Sequence, residues 1–224
     1  EDQFVPVEAF AEAGWPHIVM RGEKSYNGVA IISRLPITDS GHHLWTGRTD
    51  CRHISATIEG QTIHNCYVPA GGDEANRDIN PKFGHKLDFV AEMTSFFSTQ
   101  PPTSSVLVGD LNIAPLAADV WSTRQLKNVV SHTDIEREML LKLIDKGGWV
   151  DAVRHHYGEE EILYSWWSYR ARDWQASNRG RRLDHIWVSA DNKDKITNIH
   201  IDTAIRGAEK PSDHVPLVIE LASK

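Results

Sequence analysis

Only two cysteines, Cys51 and Cys66, occur in the 224 residues. Disulfides therefore cannot supply a framework, and a reducing cytoplasm is the expected compartment. Neither cysteine has another at metal-ligand spacing, which argues against a zinc site. No apolar run approaches the roughly 18 residues of a membrane span, so no membrane partner is expected. The chain opens on Glu1-Asp2-Gln3-Phe4, with no initiator methionine and no basic, apolar, then small-residue leader. Net positive charge is missing too: 24 Lys and Arg against 31 Asp and Glu give −7. That balance disfavours a nucleic-acid partner unless the basic residues cluster, because phosphate binding needs local positive charge.

They do cluster. Five arginines fall in the thirteen residues 170–182, against one acid. Tryptophan, eight in the chain, is concentrated just before and within the same stretch, Ser165-Trp166-Trp167-Ser168-Tyr169-Arg170 onward to Asn178-Arg179-Gly180-Arg181-Arg182. Guanidinium groups interleaved with flat rings suit phosphates and bases or sugars; the alternative is a solvated loop with structural tryptophans.

The length suits one α/β domain, 1–224, with no repeat or linker. Val7–Ala13 reads as a short helix and 17–20 as extended. Gly28–Ser33 reads as a buried strand, and 53–58 with 62–68 as a hairpin turning at Glu59-Gly60. Residues 69–81 are loop. Phe83, Leu87, Val90, Met93 and Phe97 recur at helical spacing, which predicts a helix over 82–98. A second helix is expected at 138–146, stopped by Gly147. Strands follow at 182–189, 196–202 and 215–221.

The stretch with the most chemistry is Ser105 to Pro115. Val106-Leu107-Val108 predicts a buried strand, and Asp110 and Asn112 then stand two apart, on one side of an extended backbone. A carboxylate and an amide there suit a hydrated cation or a positioned water; equally, they suit an Asx turn. Tyr67, before Pro69, is either half-buried packing or a phenol for a phosphate. Asp184 is either an ion-pair partner of Arg181 or Arg182, or an orienting acid for a histidine. Asp213-His214 is either a turn or a pair that holds a metal and contacts a phosphoryl oxygen. His42-His43 and His155-His156 are neighbours that point apart in regular structure, and they suggest no metal.

Four motifs then stand in order: Tyr67-Val68-Pro69-Ala70-Gly71, Gly109-Asp110-Leu111-Asn112-Ile113-Ala114, Arg181-Arg182-Leu183-Asp184-His185 and Ser212-Asp213-His214-Val215-Pro216. Together with Gly28–Arg34 and Asp119–Ser122, they resemble the exonuclease III family of DNA-repair nucleases, within the endonuclease/exonuclease/phosphatase superfamily. The resemblance covers essentially the whole chain. It implies a four-layer α/β/β/α sandwich of two packed mixed β-sheets flanked by helices. It also implies a monomer that cuts double-stranded DNA 5′ to abasic sites or works at 3′ ends, with Mg2+ or Mn2+, on nucleoid DNA.

By the same resemblance, Asp110 orients and deprotonates the attacking water with Asn112 beside it, and His214 contacts a phosphate oxygen. Asp184 holds His214, and Tyr67 contacts the scissile phosphate. The metal set is Asp110, Asn112, Asp213 and His214. Trp166 and Leu183 wall a pocket for an extruded abasic sugar, while Trp167, Arg170, Asn178 and Arg179 are further candidates for DNA contact. Two departures stand out. Ala70 replaces the usual Asn or Gln, and the strands expected before Glu1, one with an Asn and one ending in Gln-Glu-Thr, are not in this sequence. The principal Glu ligand is thus absent from it, since Glu8 and Glu12 lie in a polar helix; a truncated N-terminus is the expectation. The alternatives are a superfamily phosphoesterase for a small phosphoester or lipid, and a catalytically silent module that binds abasic DNA.

Overall fold

The computed structural model describes residues 1–24, 27–171 and 173–222; of the arginine cluster, Arg172 lies outside them. In chain order the regular elements begin with α1 (Val7–Glu12), β1 (His17–Gly22), β2 (Gly28–Ser33), β3 (Ile37–Gly41), β4 (His53–Ile58) and β5 (Gln61–Cys66). Next come α2 (Pro81–Thr99), β6 (Ser105–Asp110), α3 (Thr123–Leu126), α4 (Asp134–Gly147), β7 (Trp149–Asp151) and α5 (Ala152–Tyr157). The last are β8 (Trp166–Trp167), α6 (Trp174–Ser177), β9 (Gly180–Arg181), β10 (Asp184–Ser189), β11 (Ile196–Ile201) and β12 (Leu217–Leu221). Among the described residues no helix is long and apolar enough to cross a membrane.

A six-stranded sheet of order β3-β4-β5-β6-β10-β7 is the central layer. Its pairings are antiparallel except for β5 with β6, whose connection runs through α2. Strand alternation sorts its side chains onto two faces. Leu107 and Trp187 point toward α2 and α4 and pack with Phe89, Val90, Met93, Phe97, Leu140 and Leu143. Val106, Ile186 and Val188 point the other way, against Ala152 and Val153 of α5 and the apolar residues of β11 and β12. Ile54 and Ala56, farther along that face, pack against Val29 and Ile31 of β2.

The expected sandwich is therefore present, with a specific second layer. Opposite the six-stranded sheet stand two separate antiparallel hairpins, β1-β2 and β11-β12. The outer helix α1 contributes no buried residue.

Several boundaries differ from the sequence reading. The strand ending at Cys66 gives way to extended backbone, with Tyr67 N donating to Arg52 O and Val68 N to Asp110 O. Helix α4 begins at Asp134 rather than 138, because Thr133 and Glu136 form a capping box that satisfies its first amides. Its left-handed C-terminal residue is Gly148, not Gly147. The expected strand 182–189 is interrupted, since Arg182 and Leu183 lie between β9 and β10. The last strand starts at Leu217, after Pro216.

One glycine decides how β6 ends. Gly109 has φ +134, and a Cβ there would stand 2.0 Å from Cys66 O. Only glycine lets β6 pass that close to the end of β5. Gly109→Ala is accordingly expected to lower the unfolding free energy by about 2–3 kcal/mol, read as a lower urea midpoint at unchanged slope; an unchanged midpoint would contradict the close approach.

Candidate active site

The β6–β10 pairing sets Asp110 directly opposite Asp184, so the two carboxylates emerge as neighbours at one end of the sheet. They line a cleft together with Tyr67, His214 and Ser212, and its far wall is Gly28–Ala30 of β2. Five residues separated by up to 147 positions in the chain are thus brought to one place.

The Asx turn that the sequence allows at Asp110 and Asn112 is present. Asp110 Oδ1 accepts from Asn112 N at 2.9 Å, which is an Asx turn. Asn112, at φ +53, then donates through Nδ2 to Asp110 Oδ2 and to Val68 O, each at 3.0 Å. The turn itself presents the carboxylate to the cleft.

His214 lies across from it. Its Nδ1 is 2.7 Å from Asp184 Oδ2, and its Nε2 is 4.0 Å from Asp110 Oδ2. A hydrogen bond at Nδ1 fixes the ring so that Nε2 faces the cleft. Burial works against a charged imidazole here, but the hydrogen bond and charge of Asp184, helped by Asp110 and Asp213, outweigh it and raise His214 to about 9. Asp110 is pushed up to about 7, first by burial and then by the charge of Asp184; His214, the Asn112 amide and Lys86 pull in the opposite direction. The cleft thus pairs a cationic acid with a carboxyl group poised to exchange a proton near neutrality.

Asp184 is free for this role because the arginines beside it are held elsewhere. Arg182, fully buried, binds Asp119 through Nε (2.5 Å) and Nη2 (3.1 Å) and Asp151 through Nη2 (2.9 Å). Arg154 also reaches Asp119, and despite burial these guanidinium groups hold the Asp119 carboxyl near 2. Arg181 donates to Val130 O and Ser131 Oγ. The ion-pair alternative for Asp184 is thereby excluded. Ser165 has a part that the sequence did not reveal. Its buried hydroxyl accepts from the amides of Leu183 and Asp184, both at 3.0 Å, and its carbonyl accepts from Val215 N. One residue, by its side chain and its backbone carbonyl, ties together the two segments that carry the dyad.

The other candidates divide. Trp166 bridges to His214 by backbone pairing, packs beside Leu183 and Trp121, and lies 5.4 Å under the Arg181 guanidinium. Arg179, exposed, covers Trp121 at 4.6 Å, so a rim of rings and arginines adjoins the cleft. Arg170 is exposed on the loop after β8. Trp167 is corrected: it is 4% exposed, packed with Tyr164 and Val215. Its indole N–H donates to Asn178 Oδ1, while Asn178 itself stays exposed. The ring of Tyr67 lies 5.0 Å from the Arg52 guanidinium and faces the cleft.

A model of the endonuclease/exonuclease/phosphatase family matches residues 2–214. An exodeoxyribonuclease of Bacillus subtilis is 38% identical over 91% of this chain and 76% of its own length. The chain belongs to this family, in its exonuclease III branch. Exodeoxyribonuclease III of Haemophilus influenzae is 29% identical, over 98% of this chain and 85% of that protein. Among solved structures, an AP endonuclease from Archaeoglobus fulgidus superposes with TM-score 0.90 at 30% identity. A Neisseria 3′-phosphatase bound to a product DNA hairpin does so with TM-score 0.89 at 31% identity. Each covers all of this chain, which spans 85% of each of them.

The family uses a divalent cation. The set expected for it here, Asp110, Asn112, Asp213 and His214, does not converge. Both Asp110 oxygens accept from Asn112, Asp213 Oδ2 accepts from Trp166 Nε1 at 2.9 Å, and His214 Nδ1 is taken by Asp184. Among the described residues no group of three or more His, Cys, Asp or Glu side chains could hold a metal ion. A hard cation wants six or more oxygens, several of them charged, and the residues present do not make that cage by themselves.

NMR titration of the histidine rings tests the dyad. His214 is expected to stay protonated through pH 8 and titrate near 9. Buried His53 and His64, held down to about 3 and about 4 chiefly by desolvation, stay neutral. In Asp184→Asn the His214 midpoint should fall by more than about one unit; a wild-type midpoint near 6.5 would contradict the geometry.

Proposed function

We propose that this protein is a DNA-repair nuclease that hydrolyses phosphodiester bonds 5′ to abasic sites and at 3′ ends of double-stranded DNA. It works as a monomer, with Mg2+ or Mn2+ as cofactor. The observation that carries the reading is the pairing of His214–Asp184 with Asp110–Asn112 across one cleft, next to the partly exposed ring of Trp166.

The proton movements follow from that arrangement. Asp110, its carboxyl near neutrality and its oxygens fixed by Asn112, takes the proton of an attacking water as general base. His214, charged and held by Asp184, donates from Nε2 to a phosphate oxygen and stabilises the charge that grows there in the transition state. The phenol of Tyr67 is placed on the same cleft to donate to the phosphate. Trp166, partly exposed over buried Leu183, offers apolar surface to a sugar that lacks its base, whose extrusion costs less than that of an intact nucleotide. The Arg179–Trp121 and Arg181–Trp166 pairs supply positive charge and flat surface to the strand beside it. A small phosphoester or lipid headgroup would have no use for that rim, which favours DNA.

Incision of a fluorescent duplex with one abasic analogue, in magnesium, tests the reading on the complete protein. Asp110→Asn should lower turnover by about 10²–10⁴ and keep DNA affinity within about threefold. No incision by the unsubstituted protein, with release of phosphate from a small phosphoester instead, would overturn it. Abasic-DNA binding without cleavage would overturn it in favour of a silent binding module.

A further inference from the structure

One buried cation, outside the cleft, touches both loops that feed it. Lys86, on α2, is 0% exposed. An ammonium group has three protons, and here each meets an acceptor from a different segment: Asn112 O at 2.8 Å, Ala70 O at 3.3 Å and Glu136 Oε1 at 2.5 Å. Asn112 belongs to the turn that presents Asp110, and Ala70 to the loop that leaves Tyr67. Glu136, also fully buried, accepts from Ser131 N, from Thr133 N and from the Thr133 hydroxyl. Ser131 in turn receives Ala114 N on its carbonyl and Arg181 on its hydroxyl.

The lysine stem has its own channel. Gly71, at φ +90, leaves room for it; a Cβ at Gly71 would stand 2.9 Å from Lys86 Cδ and 3.1 Å from Val130 Cγ1. The Tyr67-to-Gly71 loop, the Asp110-to-Pro115 loop and the start of α4 are thus tied to one ammonium.

We propose that Lys86, with Glu136 as its counter-ion, is a positioning residue for the cleavage reaction: it sets the spacing between the Asn112 turn and the Tyr67 loop across the floor of the cleft. A buried ion pair stabilises a fold little better than a well-packed apolar pair, so its placement under two site loops points to geometry rather than to stability. The left-handed backbone of Asn112 strengthens the point. A non-glycine residue there is held by its surroundings, and the carbonyl of that same residue is what Lys86 grips. The proposal rests on the cleft being the cleaving site.

The test compares the complete protein with Lys86→Met, Lys86→Arg and Glu136→Gln on the abasic duplex. Lys86→Met removes the three donors but keeps an apolar stem. Its kcat, corrected for the fraction that stays folded, should fall by about 100-fold, while KM and DNA affinity stay within about threefold. Lys86→Arg should recover most of the lost kcat, and Glu136→Gln should lose kcat to an intermediate degree. Full kcat in folded Lys86→Met, a Lys86→Arg as slow as Lys86→Met, or losses that only track the unfolded fraction would each overturn the positioning role. If Lys86→Met does not fold, full kcat in Glu136→Gln overturns it.

A second readout separates this proposal from the functional reading. The backbone amide resonances of Asn112 and Gly71 should move in Lys86→Met, or in Glu136→Gln where Lys86→Met does not fold, and return in Lys86→Arg, whether or not DNA is cut. Unmoved resonances would overturn the positioning role even if the protein were found to cut nothing. An unsubstituted protein that cuts no DNA, with resonances that do move, would instead sink the functional reading alone.

Discussion

Two carboxylates stand side by side at the end of the β6–β10 pairing, and the site depends on how their repulsion is managed. The register puts Asp110 opposite Asp184, where burial and like charge both disfavour two anions. His214 lies between them, 2.7 Å from one and 4.0 Å from the other. It divides the labour: Asp184 is committed to the imidazolium, while Asp110 is left with a proton affinity suited to a base. Neither property belongs to a residue alone. Remove the pairing and Asp184 has no partner; remove the histidine and Asp110 loses the nearby positive charge that favours its anion.

The fold is arranged to make that juxtaposition rigid. Gly109 lets β6 run within contact of β5, Ser165 pins the Leu183–Asp184 backbone to the segment of Val215 that precedes β12, and the buried Asp119–Arg182–Asp151 network keeps the arginines away from Asp184. Breaking a buried network of that kind by removing one partner costs about 3–5 kcal/mol, so it also fixes the approach of β9 to β10. On the opposite layer the two hairpins β1-β2 and β11-β12 stand apart, and β2 supplies a wall of the cleft.

The catalytic candidates were legible because each sits in a short motif at a strand end, where chain direction limits what a side chain can face. Asp110, Asn112, Asp184 and His214 all came from such motifs, and even the competing Asx-turn reading of Asp110 proved to be part of the geometry. Long-range choices were not legible. Nothing near Asp184 in sequence says that Arg182 prefers Asp119, 63 positions away. Lys86 reads as a polar residue in an amphipathic helix, and its burial follows only from two loops that close over it. Ser165 looks like any loop serine. Trp167 was misplaced for a simpler reason: neighbours in a strand face opposite ways, so Trp166 and Trp167 could not both reach one surface, and the paired indoles gave no sign of which turned inward. The early start of α4 was present in Thr133-x-x-Glu136 but masked by the charges around it.

A double-mutant cycle in single-turnover cleavage of an abasic duplex tests most directly whether the dyad acts as one unit. Asp184→Asn and His214→Gln should each slow the chemical step by about 10²–10⁴. The double variant should be no more than a few-fold slower than the worse single one, because each change already disables the same proton donor. Losses that multiply in the double variant would show that Asp184 and His214 act separately, and would contradict the site as built here.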